Sequence, residues 1–407
     1  MAKIAFFGSV YRGHNVAPTG FINTMIDRGH EVTYFGLAKY SDLVQNRTHT
    51  NFISYPDFDK LSFLADAKLP TTGDASSRLL FLTETTVNAS SQIIPWIENM
   101  FLTQELDVDL VIYDNMALWG YVAAEKLGIN NMCSLTLMAT NRAIMTELGQ
   151  GSVYLTLSPS VSEPLNLFHN QGVSGIKDFV DIMTCGYNAN TILYTSPLFQ
   201  HNADFFIASN YVFFPPKCQP VTSKKPFDAD NVEIYLSFGT VYNNDIDLFT
   251  SILDQLHQNE KYKITVTAGG SANTFNALQT YQAFENVKIV KFANQDQMLL
   301  STDIFITHAG MNSAGEAICN TVPMVAIPLV GDQNDVAISL ARLGAARVIP
   351  RNKLVEQTQE AVEDVVNNHN VFVDNLGIIR DSFADQELLG ATLNRIDALA
   401  GIGSDEL

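Results

Sequence analysis

Short apolar runs recur along the chain, each closed by a polar turn and followed by a segment whose apolar residues gather on one helical face. Such runs read as strands of a parallel sheet buried on both faces, and the segments between them read as helices. The first run is "KIAFFGSV" (3–10), followed by the turn "YRGHN". A helix is predicted next, with Asn15 as its N-cap, Pro18 in its first turn and Gly29 at its end; Val16, Ile22, Met25 and Ile26 share one face. "EVTYFG" (31–36), "NFISYP" (51–56), "DLVIYD" (109–114) and "NMCSLTL" (131–137) continue the strand series. Helices are predicted over 76–100 and 117–127, the second stopping at Gly128, and short strands at 192–200 and 205–210.

The stretch 213–231 is rich in Pro, Lys and Ser and has no period, so it reads as a linker. The pattern then starts over. Strands are predicted at 232–240, 262–270, 287–292, 303–310 and 323–330, with helices at 245–258, after Gln295 and at 312–320. Beyond residue 335 the chain reads as helical, with amphipathic segments at 356–368 and 371–400. Strand–helix alternation implies doubly wound parallel sheets, hence an α/β protein. The 407 residues suit two domains of about 200 each. The expected division is a first domain over 1–212, the linker, a second domain over 232–385, and a last helix, 386–407, crossing back to the first.

Composition narrows the function. No uninterrupted apolar run reaches the length of a membrane span. "MAKIAFFGSVYRGH" carries one Lys and runs straight into a strand and turn, so it reads as part of the fold and not as a signal peptide. A net charge of −19 argues against nucleic acid and anionic membrane partners. It still permits a nucleotide held by backbone N–H groups and helix N-termini. Cys133, Cys185, Cys218 and Cys319 form no CxxC pair, so reduced thiols, a cytoplasmic location and no metal cage are expected.

In a doubly wound sheet the first and fourth strands flank a crevice at their C-terminal ends, and ligands bind there. In the first half those ends carry Gly13, His14 and Asp114; in the second they carry Ser237, Gly239 and Thr240, and His308 to Gly310. With the halves face to face, both crevices would open into one cleft. A neutral His accepts a proton near pH 7, and a carboxylate on its far nitrogen orients it, so His14 and Asp114 are a candidate acid–base pair. "THAGMNSAGEA" enters a helix with Asn312 or Ser313 available as cap and Glu316 one turn further on. That start suits a diphosphate, although a plain capped helix would look the same. Asp332 and Gln333 pair a carboxylate with an amide, which suits several sugar hydroxyls. Phe292 could stack on a flat base. The other His residues and the triplets at 107–109, 228–230 and 245–247 read as structural.

Together these stretches resemble one family. Phe292, Gln295, "THAGMNSAGEA", Pro323 and "GDQ" (331–333) are similar to the signature region of the nucleotide-sugar-dependent, UDP-type glycosyltransferases, nearest their bacterial macrolide and flavonoid branch. "GHNVAPTGFINTMIDRGHEVTYF" and "SFGT" resemble further motifs of that family. The resemblance implies a GT-B fold, two Rossmann-like domains facing across a cleft, and inverting transfer of a hexose, commonly glucose, from a UDP-sugar without a metal or other cofactor. It implies His14 as general base and Asp114 as its partner. Phe292 and Gln295 would meet the base. Ser237, Gly239, Thr240, His308, Gly310, Asn312 and Ser313 would hold the diphosphate, Glu316 the ribose, and Asp332 with Gln333 the sugar. Two departures stand out: Asn294 where the family usually has Pro, and Phe292 where plant members have Trp. The acceptor is expected to be a small apolar hydroxylated compound lined by Phe63, Phe81, Trp119, Met138, Met145 and Phe168. The competing readings are a transferase for a lipid-linked acceptor and a non-catalytic nucleotide-sugar-binding protein.

Overall fold

The computed structural model describes residues 1–58, 75–147, 166, 169–170, 173, 175–176, 179–188, 190–208, 211–219, 226–239, 243–329 and 332–402, with the backbone alone at 75–85, 145–147, 179 and 208. The chain divides into two compact units. The first comprises Met1–Ser196, Asn202–Pro216 and Gln386–Leu407; the second comprises Pro197–His201 and Lys217–Asp385.

The first unit is built on a wholly parallel seven-stranded sheet in the order β3-β2-β1-β4-β5-β6-β7. The strands are β1 (Lys3–Phe7), β2 (Glu31–Gly36), β3 (Asn51–Ser54), β4 (Leu110–Asp114), β5 (Asn131–Leu135), β6 (Thr191–Leu193) and β7 (Tyr211–Phe213). Alternate residues serve opposite cores, which is why the runs are apolar throughout. Ala5, Phe7, Phe35, Val111 and Tyr113 face the helices Ala75–Leu102 and Leu118–Leu127 through Ile93, Ile97, Trp119 and Val122. Ile4, Phe6, Tyr34 and Ile112 face Phe21, Ile22 and Met25 of the helix Thr19–Asp27, and also Leu393 and Ile396 of the last helix, Gln386–Leu399.

That last helix is fixed to the first unit by polar contacts as well. Thr392 donates to the Phe213 carbonyl at 2.7 Å, and the buried Asp397 pairs with Arg28 at 2.5 Å and His30 at 2.9 Å. Fully buried carboxylates persist where they are paired, and Asp397 sits between two basic partners.

The second unit has a parallel six-stranded sheet in the order β10-β9-β8-β11-β12-β13. Its strands are β8 (Val232–Ser237), β9 (Tyr262–Thr267), β10 (Val287–Val290), β11 (Ile304–Thr307), β12 (Met324–Ala326) and β13 (Ala346–Val348). The helix Ile246–Leu256 packs on it with Leu248, Phe249, Ile252, Leu253 and Leu256, an i, i+3, i+4 stripe that is wholly buried.

Several expectations are corrected. Asn15 caps no helix: Tyr11 is the N-cap of the short helix Arg12–Val16, and Asn15 is buried inside it. Of the run at 205–210, residues 205–208 are not strand but the end of the helix Ala203–Ala208, and 209–210 lie outside the described residues. Phe206 is buried while Phe205 and Ile207 are exposed, a pattern that three residues of helix and three of strand share. The stretch after 335 is not helical throughout, because Gly344, at φ 64°, ends the helix Gln333–Arg342 and lets Ala346 pair with Met324 as β13. The expectation of reduced thiols fails for one pair: Cys218 and Cys319 form a disulfide. Their separation of 101 residues gave no spacing signal; the fold brings the segment entering β8 to the end of the helix Met311–Cys319. Among the described residues, no helix is long and apolar enough to cross a membrane.

Candidate active site

The first unit carries its chemistry where β1 and β4 lie side by side, Phe7 opposite Tyr113. The turn after β1 is held by Asn15, whose amide donates to the Ser9 carbonyl at 3.0 Å and the Tyr11 carbonyl at 2.6 Å. Asn15 in turn accepts from the Tyr34 hydroxyl at 2.6 Å. The turn so fixed presents His14, whose Nδ1 lies 3.0 and 2.9 Å from the two oxygens of Asp114. Asp114 is wholly buried, while the His14 side chain is 18% exposed. The Met116 backbone N–H donates to Asp114 at 2.9 Å. An ionised carboxylate only accepts, so Nδ1 carries the imidazole proton and Nε2 carries the basic lone pair. The sequence placed these two residues on neighbouring strand ends, and the structure puts them in hydrogen-bond contact.

The second unit repeats the arrangement at β8 and β11, with Ser237 opposite Thr307. Two glycines make room for the next side chain, His308. A Cβ on Gly310 would lie 2.6 Å from His308 Nε2, and one on Gly239 would lie 3.1 Å from Cε1. Between them Ala309 takes φ 59° and is fully buried. A non-glycine residue in that region costs about 1–2 kcal/mol and clusters at functional sites. Gly310 is the N-cap of the helix Met311–Cys319 and supplies no capping side chain. The expectation that Asn312 or Ser313 caps is therefore corrected: both lie within the first turn, which leaves the helix's positive end without a capping side chain.

Burial pulls the His308 imidazole down to about 4. It is thus neutral near pH 7 and offers an N–H, not a cation. Its folded value lies below the ordinary 6.5, so as pH falls from 6.5 toward 4 the unfolded chain takes the proton first and stability drops. Allowing for partial exposure of the ring, the loss between pH 7 and 4.5 is about 2 kcal/mol. Urea titrations should show this loss, and His308→Gln should remove that share of it.

Gln295 donates to Ser313 Oγ at 3.0 Å and to Glu316 Oε2 at 2.6 Å, joining three of the expected donor residues. Asn294, the departure from Pro, serves as N-cap of the helix Gln295–Ser301 by accepting from the Gln297 N–H at 3.3 Å. Phe292 is 67% exposed and so is not core. Its ring rests on Gly270, where any Cβ would come within 2.6 Å of it. Asp332 sits at the N-cap of the helix Gln333–Arg342 without capping it. Gln333 is buried, and its Oε1 accepts from the Leu329 N–H at 2.9 Å, so it braces the end of β12.

Residues 249–386 match the family model described as UDP-glucoronosyl and UDP-glucosyl transferase. The uncharacterised UDP-glucosyltransferase YojK of Bacillus subtilis (strain 168) is 25% identical over 383 residues, 91% of either chain. The demethyllactenocin mycarosyltransferase of Streptomyces fradiae is 25% identical over 84% of this chain and 74% of its own length. Among solved structures, a glycotransferase of kitacinnamycin aligns with a TM-score of 0.75 at 18% identity, covering 98% of both chains. A calicheamicin glycosyltransferase aligns at 0.69 and 18%, with the same coverage. Residues 249–386 thus match the UDP-glycosyltransferase family, and the rest of the chain is similar to curated transferases along most of its length. The chain is a sugar-transferring enzyme with the two parallel-sheet α/β domains of the GT-B type.

Of the expected acceptor residues, two have described side chains. Trp119 and Met138 are buried. Trp119 donates from Nε1 to the Tyr55 hydroxyl at 3.0 Å, and that hydroxyl donates to the Gly8 carbonyl at 2.9 Å. A Trp that close to the sheet is held by its own N–H partner. Phe63, Phe168 and Thr240 lie outside the described residues, as do the side chains of Phe81 and Met145.

What sequence reading missed is polar. Asn115 follows Asp114 at the end of β4 and is fully buried, yet neither its amide nitrogen nor its oxygen has a partner among the described residues. The Tyr11 hydroxyl is likewise buried and unpartnered, with its ring 5.6 Å from that of His14. Thr136, past the end of β5, and Thr195, past the end of β6, add further buried hydroxyls of the same kind. Native proteins satisfy nearly all such groups, so each one asks for an explanation. The only signal in the sequence was position: an Asn directly after the strand-end Asp.

Proposed function

We propose that the enzyme moves a hexose, glucose first among them, from a UDP-sugar to a hydroxyl of a small, largely apolar acceptor, by single displacement with inversion and without a metal. The observation that carries this reading is the His14–Asp114 contact at 2.9 Å. As the acceptor oxygen attacks the anomeric carbon, His14 Nε2 takes its proton and Asp114 steadies the imidazolium. The nucleoside diphosphate leaves from the opposite face, so an α-linked donor yields a β-glycoside. Charge gathering on that leaving group is met by the His308 N–H and the amides opening the helix Met311–Cys319. A neutral histidine and backbone dipoles suit a protein of net charge −19 better than a lysine cluster would. Phe292 is the surface for the base, Glu316 and Gln295 for the ribose, and Asp332 for the sugar.

The names of the relatives support donor and acceptor class alike. Two Bacillus subtilis relatives are described as UDP-glucosyltransferases, and others carry natural-product names. One structural neighbour is described as complexed with thymidine diphosphate, so both nucleotides belong in the test. UDP-glucose and TDP-glucose, each with a panel of phenolic and macrolide alcohols, should be incubated with enzyme in excess EDTA and the products weighed. A hexosyl adduct that forms only with added divalent metal, or no adduct with any alcohol, would sink the proposal.

The buried polar atoms refine the acceptor: beside its apolar body it carries a group that hydrogen-bonds Asn115. Asn115→Leu should raise the acceptor KM about tenfold, the worth of one hydrogen bond to a buried amide, and leave the melting temperature unchanged or higher. An unaltered KM would remove Asn115 from the acceptor site.

A further inference from the structure

Two cysteines of the first unit remain unexplained by the transfer chemistry. Cys133 lies on β5 and pairs in register with Thr191 of β6. Cys185 follows the helix Phe179–Thr184 at φ 51°. Both are fully buried, and their sulfurs are 2.9 Å apart. Ordinary non-bonded contact sits at roughly 3.5–4 Å, and a disulfide at about 2.05 Å. Two thiols do not rest side by side at this separation, whereas a shift of under an ångström in two side chains would join them. The fold thus brings the two sulfurs to within an ångström of bonding distance.

We propose that Cys133 and Cys185 form a second disulfide, so that each unit of the enzyme carries one bond of its own and no thiol stays free. The oxidant is a disulfide of the small-thiol or thiol-oxidoreductase class. One cysteine thiolate displaces a thiol from it to give a mixed disulfide; the other then displaces the second thiol. Two cysteine protons and two electrons leave the pair, and the oxidant's disulfide becomes two thiols. Burial pushes the Cys133 thiol well above its ordinary range, so exchange is slow in the folded core and the bond forms while the chain folds or opens locally. The sequence separation is 52 residues, so the bond ties β5 to the end of the helix Phe179–Thr184.

The pairing does not depend on what the enzyme transfers, but it bears on where the enzyme works. A chain holding both bonds suits an oxidising compartment, against the cytoplasmic reading of its scattered cysteines.

The test uses the wild-type chain refolded in mixtures of reduced and oxidised glutathione, then denatured in iodoacetamide and digested without reductant. The expected result is a peptide carrying Cys133 linked to one carrying Cys185, alongside the Cys218–Cys319 link, with no alkylated cysteine in the more oxidising mixtures. In a Cys185→Ala chain, Cys133 should become the sole alkylated residue while the other link persists. Alkylation of both Cys133 and Cys185 in mixtures that keep Cys218–Cys319 linked would overturn the proposal. So would links that cross between the two pairs.

Discussion

His14→Ala is expected to lower kcat by about 10²- to 10⁴-fold, the usual contribution of a positioned general base, while the affinity for UDP measured by calorimetry stays as in the wild type. The split follows from the proposed roles: His14 is set by Asn15, Tyr34 and Asp114 in the first unit, and the residues proposed for the nucleotide all lie in the second. The loss should depend on the acceptor. An acidic phenol gives up its proton with little help, so it should lose least; an aliphatic alcohol should lose most. Asp114→Asn should fall between, because an amide at that position no longer stabilises the imidazolium. A His14→Ala enzyme that retains full kcat on an aliphatic alcohol would end the case for His14 as base, and with it the mechanism.

His308→Leu carries the second large effect. It should lower kcat/KM by about 10²- to 10³-fold, comparable to removing one donor from a preorganised anion site. His308→Gln, which restores an N–H of similar reach, should recover part of it. The geometry sharpens the expectation, since Gly239 and Gly310 leave space for a flat ring and little else. A neutral donor also predicts that the rate should not fall between pH 8 and 6 on account of His308, whose proton uptake is held down to about 4. Equal losses in the Leu and Gln variants would show that His308 shapes the turn and does not touch the leaving group.

The fold was legible because both faces of each sheet are buried. Strands such as "KIAFF" and "DLVIY" had to be apolar throughout, and that run is hard to confuse with a surface helix. The candidate site was legible for a topological reason: the ends of β1 and β4 must be neighbours once the order reverses beside β1. His14 and Asp114 could therefore be paired across a hundred residues of sequence.

The failures have a physical origin too. "FFIASN" is too short for period to decide, and β13 is three residues lodged between helices. Aromatic residues serve both core and pocket, so the sequence does not foretell that Trp119 is buried with its N–H bonded to Tyr55. The orphaned amide of Asn115 depends on what its neighbours fail to offer, which no linear pattern records.

The path of the chain has a consequence for how the enzyme comes into being. The first unit takes its last helix from Gln386–Leu399, after the whole second unit has been made. Until then Ile4, Phe6 and Ile112 lack part of their cover, and Arg28 and His30 lack Asp397. A nascent first unit would thus wait, incompletely sealed, through the synthesis of some 170 further residues, a span of about 10–30 seconds at ordinary translation rates. During that interval the half that bears His14 would be the one in need of a chaperone, and the half that bears His308 could already be folded.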